Sequence, residues 1–178
     1  MEIKIAKLLR MMMDYDRGDA RRIHHLLKVH DLACIIGVLE GLDKTTLDIL
    51  ETAAIVHDIG IHPSERKYGM AHGRLQEAEG PAEARLLLKR GGEWTDGEVE
   101  RVCFLVSRHH TYKGIDSMDW QILVEADLLV NIYEDNMSLE GGRNVLETVF
   151  RTRTGRLLWD ALYGGEPWEA ALERIKGC

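Results

Sequence analysis

The sequence predicts an all-α protein built from roughly eight helices, and three observations support this fold class. Apolar side chains recur at the spacing of amphipathic helices along most of the chain. β-Branched residues never alternate with polar ones over a long stretch, so no strand is expected. Aromatic residues make up only 6% of the chain, and only three prolines interrupt it.

The first three helices are predicted in the N-terminal third of the chain. Residues 1–18 form an amphipathic helix in which basic residues interrupt the apolar positions. A second helix runs from Asp19 to Leu39, where aliphatic side chains recur at helical spacing. Asp43 caps a third helix and Gly60 ends it, since aspartate favours the N-cap and glycine favours the C-terminal end.

The middle of the chain is predicted as a loop followed by an interrupted helix. Residues 61–70 include a proline, a serine and a glycine, so they are interpreted as a loop. A short helix follows Ala71, breaks and restarts at the Gly80-Pro81 step, and closes at Gly91-Gly92. Proline suits the first turn of the restarted helix, because an N–H at that position has no helical partner in any case.

Two more helices are predicted before the C-terminal region. Thr95 and Glu98 form a capping box that begins the first of them. A loop follows from His109 to Ser117. Asp119 then caps a strongly apolar helix that ends near Tyr133.

The C-terminal segment, residues 138–178, is predicted to hold two or three amphipathic helices. Gly155 and the Gly164-Gly165 step separate them. Its aromatic residues are interpreted as packing residues or as part of a dimer surface. These residues are Trp159, Tyr163 and Trp168. No repeat or linker divides the sequence, so residues 1–178 are expected to form a single domain.

The charge and the cysteines restrict the compatible functions. The net charge of −7 argues against a broad nucleic-acid or anionic-membrane surface, which would need a large basic face. A small phosphorylated ligand in a locally positive pocket remains compatible. Cys34, Cys103 and Cys178 form no CxxC pattern and are interpreted as reduced thiols. Because the sequence shows no signal-peptide or membrane-spanning pattern, a soluble cytoplasmic protein is expected.

Ionisable side chains interrupt the apolar pattern of three predicted helices. His25 lies on the apolar stripe of the second helix, and Asp127 lies in the middle of the strongly apolar one. His57 and Asp58 end the third helix, where a turn lets neighbouring side chains converge. A buried carboxylate must be paired, neutralised or bound to a cation. Two imidazoles and two carboxylates suit a divalent Mn, Fe, Co, Ni or Zn ion better than Ca²⁺, which prefers oxygen ligands, and Mg²⁺ is kept as a further candidate.

Each of these residues also has an ordinary explanation. His25 alone would most often be a hydrogen-bonded core histidine. Asp127 alone would be the buried ion-pair partner of an arginine such as Arg22 or Arg108. The adjacent His-Asp pair alone would be a helix C-cap and a turn residue. These explanations weaken together, because three separate helices each break their pattern at an ionisable position.

The three segments that carry these residues are RIHHLLKVHDLA (22–33), ETAAIVHDIG (51–60) and VEADLLVNIYE (124–134). Together they resemble the HD superfamily of metal-dependent phosphohydrolases, whose pattern is a His, a distant His-Asp pair and a later Asp. The resemblance implies an HD-domain helical bundle with its core at about residues 19–135 and a C-terminal helical extension over residues 136–178.

The resemblance also assigns the metal ligands. It implies that one divalent ion lies between the helices, held by His25, His57, Asp58 and Asp127. His24 competes with His25 for the first position, but it would point away from the apolar stripe.

A further segment, LVSRHHTYKGID (105–116), resembles part of the two-metal branches of the superfamily, such as the diadenosine-polyphosphate hydrolases and the cyclic-dinucleotide phosphodiesterases. It implies that His109 and His110 reach the site, either as catalytic residues or beside a second metal ion. His110 is the better candidate of the two.

The stretch around residues 75–84 departs from the two-metal pattern. Relatives often carry a histidine there, whereas this chain has Gln76. His72 and Glu79 are the remaining candidates for a position beside the ligands or at a second metal ion. One ion is therefore expected, and a second one stays open.

The phosphate-binding residues also depart from the pattern. Relatives often follow the His-Asp pair with Ile-Gly-Lys, whose lysine contacts phosphate, but this chain has Ile61 in place of the lysine. Each cation nearby would most often be an ordinary solvated side chain. The candidates for a replacement contact are Lys67, Arg74 and Lys113, with Arg66 and Arg108 as alternatives.

The resemblance implies a hydrolase of phosphoric ester or anhydride bonds in a small phosphorylated metabolite, with a nucleotide as the expected substrate. Asp58 would orient the attacking water or accept its proton, and His110 or His109 would donate a proton or a hydrogen bond. One alternative is a catalytically silent, metal-bearing module that senses a nucleotide. Another is a purely structural helical protein. A homo-oligomer is compatible with either.

Overall fold

The computed structural model describes residues 1–165, and the described chain is all-α, as predicted. It contains nine α-helices: α1 (Ile3–Tyr15), α2 (Ala20–Leu39), α3 (Lys44–Val56), α4 (Ile61–Tyr68), α5 (Gly73–Gly91), α6 (Asp96–Val106), α7 (Met118–Glu134), α8 (Leu139–Val149) and α9 (Arg153–Trp159). A π-helical turn, Asp160–Gly164, follows α9. The predictions for Trp168, Cys178 and the rest of 166–178 lie outside the described residues.

Side-chain caps begin several helices where the sequence predicts them. Asp19 accepts a hydrogen bond from the Arg22 N–H at the start of α2. Asp43 accepts one from the Thr46 N–H at the start of α3. Thr95 begins α6 with the predicted capping box. These caps satisfy backbone donors that have no partner within the helix, so they determine where each helix starts.

Helix α7 is the central element of the bundle. Every residue from Asp119 to Val130 is buried. A helix that is apolar on all sides can be stable only when other helices surround it. Helices α2, α3, α6 and α9 all contact α7. The described part of the chain has no helix with the length and hydropathy needed to span a membrane.

The hydrophobic core lies between α7 and the helices around it. Helix α3 packs against α1, α2, α6 and α7, and α5 packs against α6. The largest fully buried side chains are Ile5, Leu8, Met12, Ile36, Leu50, Ile55, Ile59, Leu88, Leu105, Ile122, Leu123 and Phe150. Cys34 and Cys103 carry free thiols, as predicted.

The predicted loop over residues 61–70 is wrong, because most of it forms α4. Pro63 lies in the first turn of this helix, where a missing N–H costs no helical hydrogen bond. Gly69 follows the last residue with a φ of 71°, a left-handed conformation that ends helices and suits glycine. The proline and the glycine are therefore the start and stop signals of a short helix.

The predicted break at Gly80-Pro81 is also wrong, because α5 continues through both residues. A proline inside a helix costs about 3 kcal/mol, so other contacts must offset it. The α5 backbone packs directly against Gly60, where an added Cβ would lie 2.4 Å from the Gln76 carbonyl oxygen. Gly60 therefore allows close helix packing, while α3 itself ends earlier, at Val56.

Two other predicted boundaries are wrong. Helix α7 begins after Ser117, and Asp119 lies inside its first turn. The Asp119 carboxylate accepts hydrogen bonds from Arg101 at 2.7 and 2.8 Å, so it joins α6 to α7 instead of capping. Gly155 lies within α9, and residues 150–152 separate α8 from α9.

Glu125 connects α7 to the segment between α8 and α9. Its side chain is fully buried. One oxygen accepts hydrogen bonds from the backbone N–H groups of Arg151 and Thr152, at 2.6 and 2.9 Å, and from the Gln121 side chain at 2.7 Å. The other accepts the Thr152 hydroxyl. This carboxylate therefore satisfies donors that the protein interior hides from water.

We expect Glu125→Ala to lower the free energy of unfolding by about 3 kcal/mol, since each buried donor left without an acceptor costs about 1–3 kcal/mol. Urea denaturation followed by circular dichroism measures the change. Glu147→Ala is the matched control, because Glu147 is exposed on α8. Equal stabilities of the two variants would contradict this account of Glu125.

Candidate metal centre

Four ionisable side chains from three segments meet inside the bundle. His25 comes from α2, His57 and Asp58 from the end of α3 and the turn after it, and Asp127 from α7. Helix α2 packs against both α3 and α7, and this packing brings the segments together. His57 is 0% exposed and Asp127 is 1% exposed. Water therefore cannot stabilise their charges, and the neighbouring side chains of the cluster must do so.

The distances within this cluster match those between ligands that share one ion. His25 Nε2 lies 3.2 Å from His57 Nε2 and 3.2 Å from Asp127 Oδ1. His57 Nε2 lies 3.5 Å from Asp127 Oδ1, and Asp58 Oδ2 lies 3.6 Å from each of the two imidazole nitrogens. Metal–ligand bonds of about 2.0–2.2 Å place neighbouring ligand atoms about 3.0–3.5 Å apart.

Hydrogen bonds on the far side of each imidazole turn its Nε2 atom toward the cluster. His57 Nδ1 donates to the Ala54 carbonyl oxygen at 2.8 Å. His25 Nδ1 lies 3.2 Å from Glu134 Oε2 and donates to that carboxylate. When Nδ1 carries the proton of a neutral ring, Nε2 keeps a lone pair that can bind a metal. Both rings are therefore oriented as ligands.

Two buried polar atoms of the site have no hydrogen-bond partner. They are Asp127 Oδ2 and His109 Nε2. A buried polar atom without a partner is costly, and such atoms in folded proteins often indicate a missing ion or water. The donor set, with imidazole nitrogens and carboxylate oxygens, suits a divalent transition metal. The residues present thus fit a divalent cation.

The pKa values show the same preference for positive charge. Burial lowers the pKa of His57, but the carboxylates of Asp58 and Asp127 outweigh burial and raise it to about 9. Burial raises the pKa of Asp127, yet its hydrogen bonds with His25 and His57 hold that pKa well below the usual range. The carboxylates therefore stay charged, and the surrounding protein stabilises a positive charge between them.

A second group of ligand atoms adjoins the first and shares Asp58. His109 Nε2 lies 3.4 Å from Asp58 Oδ1, while Oδ2 faces His25 and His57. One ligand atom each of Asp58, His109 and His110 lies within 4.8 Å of the others. His109 Nδ1 donates to the Val106 carbonyl oxygen at 2.8 Å, so its Nε2 also faces inward. Asp58 could therefore bridge two metal ions, one in each group of ligand atoms.

A sequence model of the HD domain family matches residues 22–142, well over half of the chain. The chain belongs to this family. The fold is similar to that of a crystal structure described as a predicted HD superfamily hydrolase from an uncultured Thermotogales bacterium, with 24% identity and a TM-score of 0.65. That similarity covers 96% of this chain and 88% of the other. No protein with a curated description matches the sequence.

Membership of the family confirms the predicted HD-domain bundle and places the chain among metal-dependent hydrolases. HD domains bind divalent metals, and the convergent His and Asp side chains of this HD domain fit such an ion. The division into a core over residues 19–135 and a C-terminal extension stays a prediction.

A hydrogen bond to Gln76 determines the tautomer of His110. Gln76 donates its amide N–H to the Ala71 carbonyl oxygen at 2.8 Å, which leaves its Oε1 to accept from His110 Nε2 at 2.8 Å. The neutral ring then has its unprotonated nitrogen at Nδ1. Burial and the neighbouring His109 lower the pKa of His110 to about 4. His110 is therefore neutral near pH 7, with a nitrogen free to bind an ion, and its role as a donor stays a prediction.

The remaining candidates lie outside the ligand cluster. Lys67 and Glu79 form an ion pair with each other at 2.8 Å, and Glu79 also accepts from Tyr68. His72 is exposed at the start of α5, with no side-chain partner in the described chain. Neither Glu79 nor His72 is therefore brought to the metal ligands.

The arginines that the ordinary explanation pairs with Asp127 are engaged elsewhere in the structure. Arg22 pairs with Asp19 and Glu65 instead of with Asp127. Arg108 stacks over the rings of Phe104 and Trp120. His24 is exposed, which agrees with its predicted direction away from the apolar stripe.

The sequence analysis missed several residues that support the ligands. Asn131 donates to Asp127 Oδ1 at 2.8 Å, and Glu134 accepts from His25. They stand four and seven residues after Asp127, so helical spacing could have revealed them. Tyr112 was also missed; burial and the charges of Asp127 and Glu77 raise its pKa to about 12.

We expect Glu134→Ala to weaken the binding of Mn²⁺ by about 10–100-fold, the usual effect of removing the hydrogen-bond partner of a histidine ligand. Isothermal titration calorimetry measures this affinity. Asp135→Ala is the control, because Asp135 is the next residue and forms only an exposed ion pair with Arg21. If both variants bind Mn²⁺ as tightly as the parent protein, His25 is not oriented by Glu134 for a metal ion.

Proposed function

We propose that this HD domain hydrolyses a phosphoric ester or anhydride bond of a small phosphorylated metabolite, and that its substrate is a nucleotide. The observation that carries the proposal is the convergence of two buried imidazoles and two carboxylates on one point, with a second ligand group sharing Asp58. The similar Thermotogales protein is described as a predicted hydrolase, which supports the same reaction class here.

The proposed ligands are His25, His57, Asp58 and Asp127, with His109 and His110 available for a second ion. A divalent ion held there would supply Lewis acidity, lowering the pKa of a water molecule and polarising a phosphoryl oxygen. Which of Mn, Fe, Co, Ni, Mg or Zn binds is left to measurement.

Asp58 is the proposed catalytic carboxylate. Its side chain is 27% exposed, whereas the side chain of Asp127 is 2% exposed. The site is therefore open to water and substrate at Asp58 and closed at Asp127. Burial raises the pKa of Asp58, but His57 and His109 lower it further, so the carboxylate is charged at neutral pH. It can orient water and accept a proton as the water attacks.

The openness of the site at Asp58 favours an enzyme over a catalytically silent sensor. A silent module would be expected to enclose its ion completely. His110 adds a group that is neutral near pH 7, because its pKa is lowered to about 4. A neutral imidazole with a free nitrogen can hold a second ion.

Arg74 and Lys113 are the proposed phosphate contacts. Arg74 follows Gly73, whose Cα packs so closely on His110 that a Cβ would lie 2.7 Å from its ring. Lys113 is close in sequence to His110 and lies in the loop beside Tyr112. Within residues 1–165, Arg74 and Lys113 have no ion-pair partner, whereas Glu79 neutralises Lys67. A charge-assisted hydrogen bond to phosphate would suit both free cations.

A cytoplasmic location, a lack of nucleic-acid or membrane binding, and homo-oligomer formation all stay predictions of the sequence. The net charge of −7 supports only the lack of nucleic-acid and membrane binding, since either surface would need a large basic face.

The activity is tested by incubating the protein, with and without Mn²⁺, with nucleotides, dinucleotides and simple phosphomonoesters and phosphodiesters. We expect metal-dependent release of phosphate or nucleotide, and loss of both activity and bound metal in Asp58→Ala. Asp14→Ala is the control, because Asp14 forms only exposed ion pairs on α1. A parent protein that binds nucleotides without turnover would instead support the sensor.

We expect Lys113→Ala and Arg74→Ala each to raise KM about tenfold, since a charge-assisted hydrogen bond contributes about 1.5–3 kcal/mol and 1.4 kcal/mol is tenfold. Steady-state kinetics on the best substrate of the screen measures KM and kcat separately. Arg143→Ala is the control, because Arg143 is an exposed cation on α8. Unchanged KM in both variants would remove these residues from phosphate binding.

A further inference from the structure

A second cluster of metal-binding residue types lies between α2 and α3, apart from the centre described above. It consists of His30 and Cys34 on α2 and Glu51 on α3. His30 and Cys34 are four residues apart, so they share one face of the helix. His30 is five residues beyond His25, which corresponds to about 140° of rotation around α2. The two clusters therefore use different faces of the same helix.

The three side chains already have the spacing of ligands on one ion. His30 Nε2 lies 3.5 Å from Cys34 Sγ and 3.5 Å from Glu51 Oε2. A tetrahedral ion with bonds of about 2.3 Å to sulfur and about 2.0–2.2 Å to nitrogen and oxygen places these atoms about 3.6 and about 3.4 Å apart. All three ligand atoms lie within 4.8 Å of one another.

A carboxylate outside the cluster holds the imidazole in the ligand orientation. His30 Nδ1 lies 3.1 Å from Asp31 Oδ1 and donates to it. The unprotonated Nε2 then faces Cys34 and Glu51. A carboxylate bonded to the far nitrogen of a histidine is the usual support of zinc ligands, because it selects the tautomer and raises the basicity of the ring. His30 itself is only 4% exposed.

The charges of the cluster are not balanced by any lysine or arginine in residues 1–165. Glu51 forms an ion pair only with His30, and so does Asp31. Burial, Glu51 and Asp31 raise the pKa of the Cys34 thiol to about 12, so the free thiol is not a nucleophile near neutral pH. If the three side chains only formed hydrogen bonds with one another, the negative charge of Glu51 and Asp31 would not be neutralised. A bound cation would neutralise it.

We propose that His30, Cys34 and Glu51 form a binding site for a Zn²⁺-like divalent ion, independent of the catalytic centre. Nitrogen, sulfur and oxygen ligands together suit zinc, and thiolate selects against Mg²⁺ and Ca²⁺. Cys34 and Glu51 are only partly buried, so an ion can enter from the surface and keep a water molecule as its fourth ligand. The ion would join α2 to α3, the helices that carry His25 and His57.

Cobalt loading tests this site, because Co²⁺ bound to a thiolate gives a charge-transfer absorption that imidazole and carboxylate ligands do not give. The catalytic cluster contains no cysteine, so it cannot produce the band. We expect the parent protein at Co²⁺ saturation to show the band and Cys34→Ala to lose it. Cys103→Ala and Cys178→Ala are the matched controls and should retain it.

The same measurement on Asp58→Ala separates this site from the proposed catalytic function. The band should persist in that variant even when hydrolysis is lost. A measurement that needs no variant is X-ray absorption at the zinc edge, where the zinc-loaded parent protein should show a sulfur ligand at about 2.3 Å. No band at saturation, a band that survives Cys34→Ala, or zinc without a sulfur ligand would each overturn the proposal.

Discussion

The structure depends on a group of charges held inside an otherwise apolar helical bundle. Asp127 lies on the most buried helix, and its carboxylate cannot be hydrated there. Isolated, such a charge would destabilise the fold by several kcal/mol. It is tolerated because His25 and His57 face it from two other helices. The packing of α2 and α3 on α7 therefore also assembles the candidate metal centre.

Hydrogen bonds behind the ligands determine how this centre is organised. The backbone oxygens of Ala54 and Val106 and the carboxylate of Glu134 each hold the Nδ1 side of one imidazole. All three Nε2 atoms then face inward, toward the carboxylates of Asp58 and Asp127. The two oxygens of Asp58 divide between the neighbouring ligand groups. The side chains of the site are consequently oriented to stabilise a positive charge before any ion binds.

The contact between α2 and α3 positions the side chains of two separate clusters. One face of α2 contributes His25 to that centre, and another contributes His30 and Cys34 to the proposed zinc site. Both sites require α3, through His57 and Glu51. An ion at the second site would resist separation of the two helices that carry both groups of side chains.

The sequence by itself determined which positions are buried, where most helices begin, and that four ionisable residues interrupt apolar faces. Those properties are local, since helical spacing and capping residues suffice to read them. Only the tertiary structure decided the tautomer of His110, through Gln76, and the pairing of Glu79 with Lys67. It also decided that α5 continues through Pro81, because contacts between helices offset that cost. Periodicity identifies a buried face but not the side chain that lies opposite it.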